Sequence, residues 1–155
     1  MNLAKLLKIV PILNSANIGA GVDGNSLNMA KAHRAVFVIL FGALGADSAT
    51  LKFFSGAGDG TKTSALNYKY AIGSANVGSA LCDVLGAELE VATLTLTNTL
   101  HGSKMLVVEI DTNQMDMNNN ENWLTMELSS GATSGTCQVI AVIEPRYSDS
   151  TTVLA

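Results

Sequence analysis

Charge is the first thing this 155-residue chain lacks: Asp, Glu, Lys and Arg make up 14% of it, against about a quarter in an ordinary globular domain. Arginine is scarcest, with only Arg34 and Arg146, and the net charge is -4. Nucleic-acid binders normally carry a basic patch or stripe. None is legible here, so no nucleic-acid partner is expected. The two cysteines, Cys82 and Cys137, demand no disulfide and are expected to be reduced. The longest apolar run, 35–41, is too short to cross a bilayer as a helix. Lys8 and Pro11 break the N-terminal apolar stretch before it reaches the length of a signal peptide. A soluble chain with no membrane segment is therefore expected. The length also excludes a full α/β barrel and a two-domain dinucleotide dehydrogenase.

Motifs with chemistry are scarce too. The stretch 56–63, Gly-Ala-Gly-Asp-Gly-Thr-Lys-Thr, lacks the Gly-Lys pair of a phosphate loop and is followed by an extended segment. A hairpin or inter-sheet loop is the expected reading. His33, His101, Cys82 and Cys137 match no zinc spacing. His33 is expected at the edge of the core, and His101, before Gly102, in a turn. The loop Asp111–Glu121 superficially resembles a calcium loop, but it has no central glycine and its glutamate stands at position 11. Whether it takes calcium stays open. No nucleophile elbow occurs, and Glu88 and Glu90 read as a solvated strand face. Nothing here points to an enzyme, a cofactor or a metal.

What is present is a β pattern. Hydrophobic residues make up 48% of the chain, and they fall into eight or nine short runs between turn-rich segments. Strands are expected at 8–13, 26–30, 33–41, 50–54, 66–71, 104–110, 123–128 and 137–143. The run 33–41 does not alternate, which predicts apolar material on both of its faces. In 88–97 the apolar phase slips between Leu89/Val91 and Leu94/Leu96, which predicts a bulge near Ala92. The span 74–86 is ambiguous, with a short helix as one option. Together these features predict an all-β, two-sheet sandwich, jelly-roll-like or immunoglobulin-like. The expected organisation is an N-terminal arm or edge segment at 1–13, a sandwich domain at 14–147 and a tail at 148–155.

Four stretches carry a resemblance: 8–11 (Lys-Ile-Val-Pro), 28–38 (Asn-Met-Ala-Lys-Ala-His-Arg-Ala-Val-Phe-Val), 65–68 (Ala-Leu-Asn-Tyr), and 107–111 (Val-Val-Glu-Ile-Asp) onward through Trp123 to 143–147 (Ile-Glu-Pro-Arg-Tyr). In these the chain is similar to the small β-rich decoration, or auxiliary capsid, proteins of tailed bacteriophages. The resemblance implies a structural virion protein, made in the host cytoplasm, that binds the outside of a phage capsid shell and stabilises it. It implies a homotrimer with the major capsid protein as partner. The alternative is a carbohydrate- or cell-surface-binding module of a phage tail or fibre, suggested by the Asn-rich loop beside Trp123.

The residues expected to form an interface are Leu3, Lys5, Leu6, Leu7, Lys8, Ile9, Trp123, Arg146 and Tyr147. Residues 1–13 are too apolar for a free tail and too short to fold alone. Two placements stay open for them: an edge strand of their own sandwich, or an anchor on a neighbouring subunit or shell. Trp123 is open in the same way, outward on an interface or inward on a buried face.

Overall fold

The computed structural model describes residues 7–45, 49–129 and 135–146. Its strands, in chain order, are β1 (Lys8–Asn17), β2 (Val22–Asp23), β3 (Leu27–Asn28), β4 (Ala32–Leu44), β5 (Ala49–Gly56), β6 (Ser64–Ala65), β7 (Tyr68–Ile72), β8 (Leu89–Val91), β9 (Leu94–Leu96), β10 (Met105–Asp111), β11 (Trp123–Ser129) and β12 (Gly135–Pro145). One helical turn, α1 (Asn98–His101), precedes β10. The strands form two antiparallel sheets packed as a sandwich. The first runs β1-β12-β4-β10-β7-β8 and the second β2-β11-β5-β6, with β3 also on β11 and β9 also on β5.

Alternation explains the layers. In β12, Cys137, Val139, Ala141 and Ile143 are buried while the residues between them face outward. In β11, Leu124, Met126 and Leu128 meet the core, as period two requires. An aromatic chain ties the sheets together. Phe37 of β4 meets Phe53 of β5 at a tilt, with 4.8 Å between ring centroids, and Phe53 meets Tyr68 of β7 edge-on at 4.9 Å. The Tyr68 hydroxyl, deep in this core, donates to the Leu51 carbonyl at 2.8 Å, so its polar end is satisfied. Burial pushes this phenol well above the usual tyrosine value.

Several sequence expectations are corrected. The phase slip in 88–97 is a change of sheet, not a bulge. Leu89 and Val91 lie in β8, paired with β7, whereas Leu94 and Leu96 lie in β9, paired with β5. Ala92 and Thr93 carry the chain between the two layers; Leu94 and Leu96 are buried, whereas Leu89 is exposed. The span 74–86 forms no helix; it is a series of turns, as expected where Gly78 and Gly86 interrupt a helical pattern. The run 33–41 has one face in the core and the other half-exposed on the outside of the first sheet. His33 is exposed, and His101 is buried at the end of α1 rather than lying in an open turn. The strand that begins at Lys8 continues past Leu13 to Asn17, through two register shifts, as the outer strand of the first sheet. Pro11 lies in this edge strand, where its missing N–H costs least.

Candidate protein-interaction surface

The outward face of the first sheet is built by register. Pro11 pairs with Ile140, Ile140 with Val38, Val38 with Val107 and Val107 with Ala71. These five side chains make an apolar row across β1, β12, β4, β10 and β7. A second row places Ile9 beside Val142 and Val142 beside Val36 before it turns charged at Glu109 and Lys69. A third aligns Gln138, Leu40 and Met105. Most of these residues are half-buried by their own neighbours, and Ile9 and Ile140 are exposed. Cross-strand pairs of this kind normally alternate apolar-in with polar-out when the second face meets water. Here the outer face is apolar over much of its width.

Arg34 closes one end of this face. Its Nη1 lies 3.0 Å from Glu109 and its Nε 2.7 Å from Glu144. Those two carboxylates hold the guanidinium above its already high ordinary value. Beside it, Leu7, Val36, Val142 and Pro145 line a groove of about 460 Å³ with Arg34 and Glu144. A charged rim around an apolar centre is the usual anatomy of a protein interface.

Among the described residues, the expected interface residues are not all brought to one place. Leu7 lines this groove, Ile9 stands on the second apolar row, and Lys8 opens β1 between them. Trp123 is half-buried on the other sheet, paired with Asn28 and Gly56. Arg146 is engaged within the subunit: its Nε donates to the Ala32 carbonyl at 2.9 Å and its backbone N–H to the Lys31 carbonyl at 2.7 Å. It clips the end of β12 to the start of β4. Leu3, Lys5, Leu6, Tyr147 and the tail at 148–155 lie outside the described residues. The sequence reading missed Val38, Val107, Ile140 and Val142 as surface residues. The available signal was the absence of alternation in 33–41, which marks an apolar second face without saying whether a layer of the same chain covers it.

The loop between β5 and β6 lies against part of the outer face of the second sheet. Gly56 packs so closely that a Cβ there would sit 2.1 Å from the Thr61 carbonyl oxygen. The loop between β5 and β6 folds back, and Lys62 reaches Asp23 at 2.9 Å and Glu127 at 2.5 Å. The lysine of the glycine-rich stretch is thus spent on two carboxylates, in a hairpin connection. Glu121 turns inward, where it accepts hydrogen bonds from Ser55 Oγ at 2.5 Å and Ser64 Oγ at 3.2 Å. Asp116 accepts one from the Asn119 amide at 2.6 Å. Among the described residues no group of three or more His, Cys, Asp or Glu side chains could hold a metal ion. No helix there is long and apolar enough to cross a membrane. Burial pushes the Cys137 thiol up to about 11, which leaves it a protonated core residue at neutral pH.

No family model matches this chain, and no curated protein matches it. Among solved structures, the SPBc2 prophage-derived protein YomS is similar, with a TM-score of 0.51 and 13% identity over 88% of this chain and 91% of that chain. At that identity the likeness shows a shared fold. The cowpea mosaic virus top component, a naturally occurring empty particle, overlaps 97% of this chain and 90% of that chain at 10% identity, but its TM-score of 0.28 is too low to carry an argument.

Proposed function

We propose that this chain is a structural protein of a phage particle, and that as a homotrimer it binds the outside of the capsid shell and cements it. The observation that carries the reading is the apolar row Pro11–Ile140–Val38–Val107–Ala71 on an outward sheet face. The fold shared with a prophage-derived protein supports a phage setting. A cement protein needs no catalytic group. It needs a broad, sparsely charged face repeated many times, so that modest contacts act together through high effective concentration.

Co-sedimentation of the purified protein with phage shells tests this, with electron microscopy of the pelleted particles. Wild-type protein is expected to pellet with the shells and to appear at regular positions on their exterior. Val38→Lys, on the outward face of β4, is expected to keep its circular dichroism and to melt within about 5 °C of wild type, yet to lose the shells. If Val38→Lys pellets as well as wild type, this face is not the docking surface. If wild-type protein stays in the supernatant, the decoration reading fails.

A further inference from the structure

The groove at the Arg34 end of the first sheet has an apolar floor and an unbalanced rim. Val142 of β12 and Val36 of β4 are cross-strand neighbours on the outward face, and both are half-buried. Leu7 and Pro145 wall them in, around a space of about 460 Å³. Acids outnumber bases on the rim. Arg34 is bound by Glu109 at 3.0 Å and by Glu144 at 2.7 Å, and Asp111 stands opposite it in register. Two neighbouring lysines do not redress this. Lys69, the cross-strand neighbour of Glu109, pairs with Glu88 at 3.0 Å. Lys8 shares the phase of buried Val10 and Ile12 rather than the outward phase of Leu7 and Ile9. The groove therefore fits a short apolar segment that brings a positive charge with it.

We infer that the occupant is residues 1–6 of the same chain, laid from the Leu7 wall across β12 to β4. Position selects this segment. It joins the fold at Leu7, which is itself part of the groove wall, so it meets the groove at the high effective concentration of a tether with no slack. Reach allows it. Six extended residues cover about 20 Å, whereas β1 to β4 is two strand spacings, about 10 Å. The chemistry matches as well. Met1-Asn2-Leu3-Ala4-Lys5-Leu6 supplies Leu3 and Leu6 for the valine floor and Lys5 for the acidic rim. Residues 147–155, which follow Pro145 and Arg146, match poorly: they hold Asp149 and no base, and would set acid against acid. The same segment of a neighbouring copy has the chemistry but not the tether. Seated in the groove, residues 1–6 cover Val36 and Val142 and leave the row through Val38 open. This goes beyond shell binding and is read on purified protein without shells, so it stands or fails separately.

Paramagnetic broadening of valine methyl signals tests this on the full chain. A nitroxide is attached at Asn2→Cys in a Cys82→Ser background, where the remaining thiol, Cys137, is buried. The Val36 and Val142 signals are expected to broaden strongly, while Val77, in the span between β7 and β8 at the opposite edge of the sheet, stays sharp. Sharp Val36 and Val142 signals would overturn the inference. Leu3→Ser combined with Leu6→Ser, and separately Lys5→Glu, are each expected to cut the broadening severalfold. A segment that swings freely would broaden these proteins and their parent alike, and that result overturns the seat. A mixture separates one chain from two: nitroxide-bearing protein is added to isotope-labelled protein that carries no nitroxide. The isotope-labelled valines are expected to stay sharp. Broadening of Val36 and Val142 in the mixture would place the segment on a neighbouring copy and overturn its seat on its own chain.

Discussion

Ser55 Oγ donates to Glu121 Oε2 at 2.5 Å, and both residues are almost wholly buried. The pair joins β5 to the segment just before β11, and it explains why the Asn-rich loop ends where it does. A buried carboxylate is tolerable only with its lone pairs occupied. Ser55→Ala leaves Glu121 with Ser64 as its remaining side-chain donor. The expected cost is about 1–3 kcal/mol, read from urea unfolding of the wild type and the variant. Ser64→Ala, at a half-buried and longer bond, should cost less. Equal costs for the two serines would mean that burial does not set the strength of this pair.

The contact of Phe53 with Phe37 and Tyr68 crosses the two layers. Phe53→Ala opens a cavity at the centre of the sandwich and is expected to cost about 3–5 kcal/mol. The same measurement on Phe54→Ala, half-buried on the other face of β5, should give a clearly smaller value. A similar loss at both positions would contradict the assignment of the inward face.

β1 belongs to its own subunit's sheet by register with β12, and Ile12 is buried beneath it. Ile12→Ala is therefore expected to destabilise the subunit by about 2–5 kcal/mol, with the same value at high and low protein concentration. A cost that appears only where the protein is associated would place this strand on a neighbouring copy instead.

His101 gives a pH dependence. Its Nδ1 accepts the Thr97 N–H at 3.1 Å, so the proton sits on Nε2, which is buried without a partner. Burial pushes the imidazole below its ordinary value. Below about pH 6.5 the unfolded chain binds a proton that the folded chain resists. Stability contributed by this group is thus present above that pH and is lost as the pH falls through it. Unfolding curves at pH 7.5 and 5.5 should show a larger drop for wild type than for His101→Gln, whose side chain can accept from Thr97 and does not titrate. Parallel drops in the two proteins would remove His101 as the cause.

Much of the fold was legible because period two is written directly into residues. Trp123–Leu128 alternates and forms the strand its pattern predicts, with Leu124, Met126 and Leu128 inward; Cys137–Ile143, a short apolar run, also forms the strand expected of it. Turn chemistry placed the hairpin at Gly56–Thr63. His101 was not legible, because a histidine before a glycine looks the same whether the short turn is packed or open. The phase slip at Ala92 was visible, but a bulge and a change of sheet produce the same slip. Only the partner strand separates them.

The amino-acid sequence by itself determined that this protein is a low-charge, all-β sandwich with no motif for nucleotide, zinc or nucleophilic chemistry. Local alternation, turn residues and composition are enough to specify those features. Tertiary structure alone decided which apolar residues became surface. Val38 and Ile39 are adjacent and nearly identical in chemistry, yet Ile39 is fully buried and Val38 faces outward. The pleat sends neighbours to opposite faces, and the second sheet covers only one of them. The same holds for Leu81 and Leu85, which the span between β7 and β8 leaves exposed at the edge of the first sheet. Hydrophobicity fixes that a side chain will seek a contact; the packing of layers fixes whether this chain supplies it.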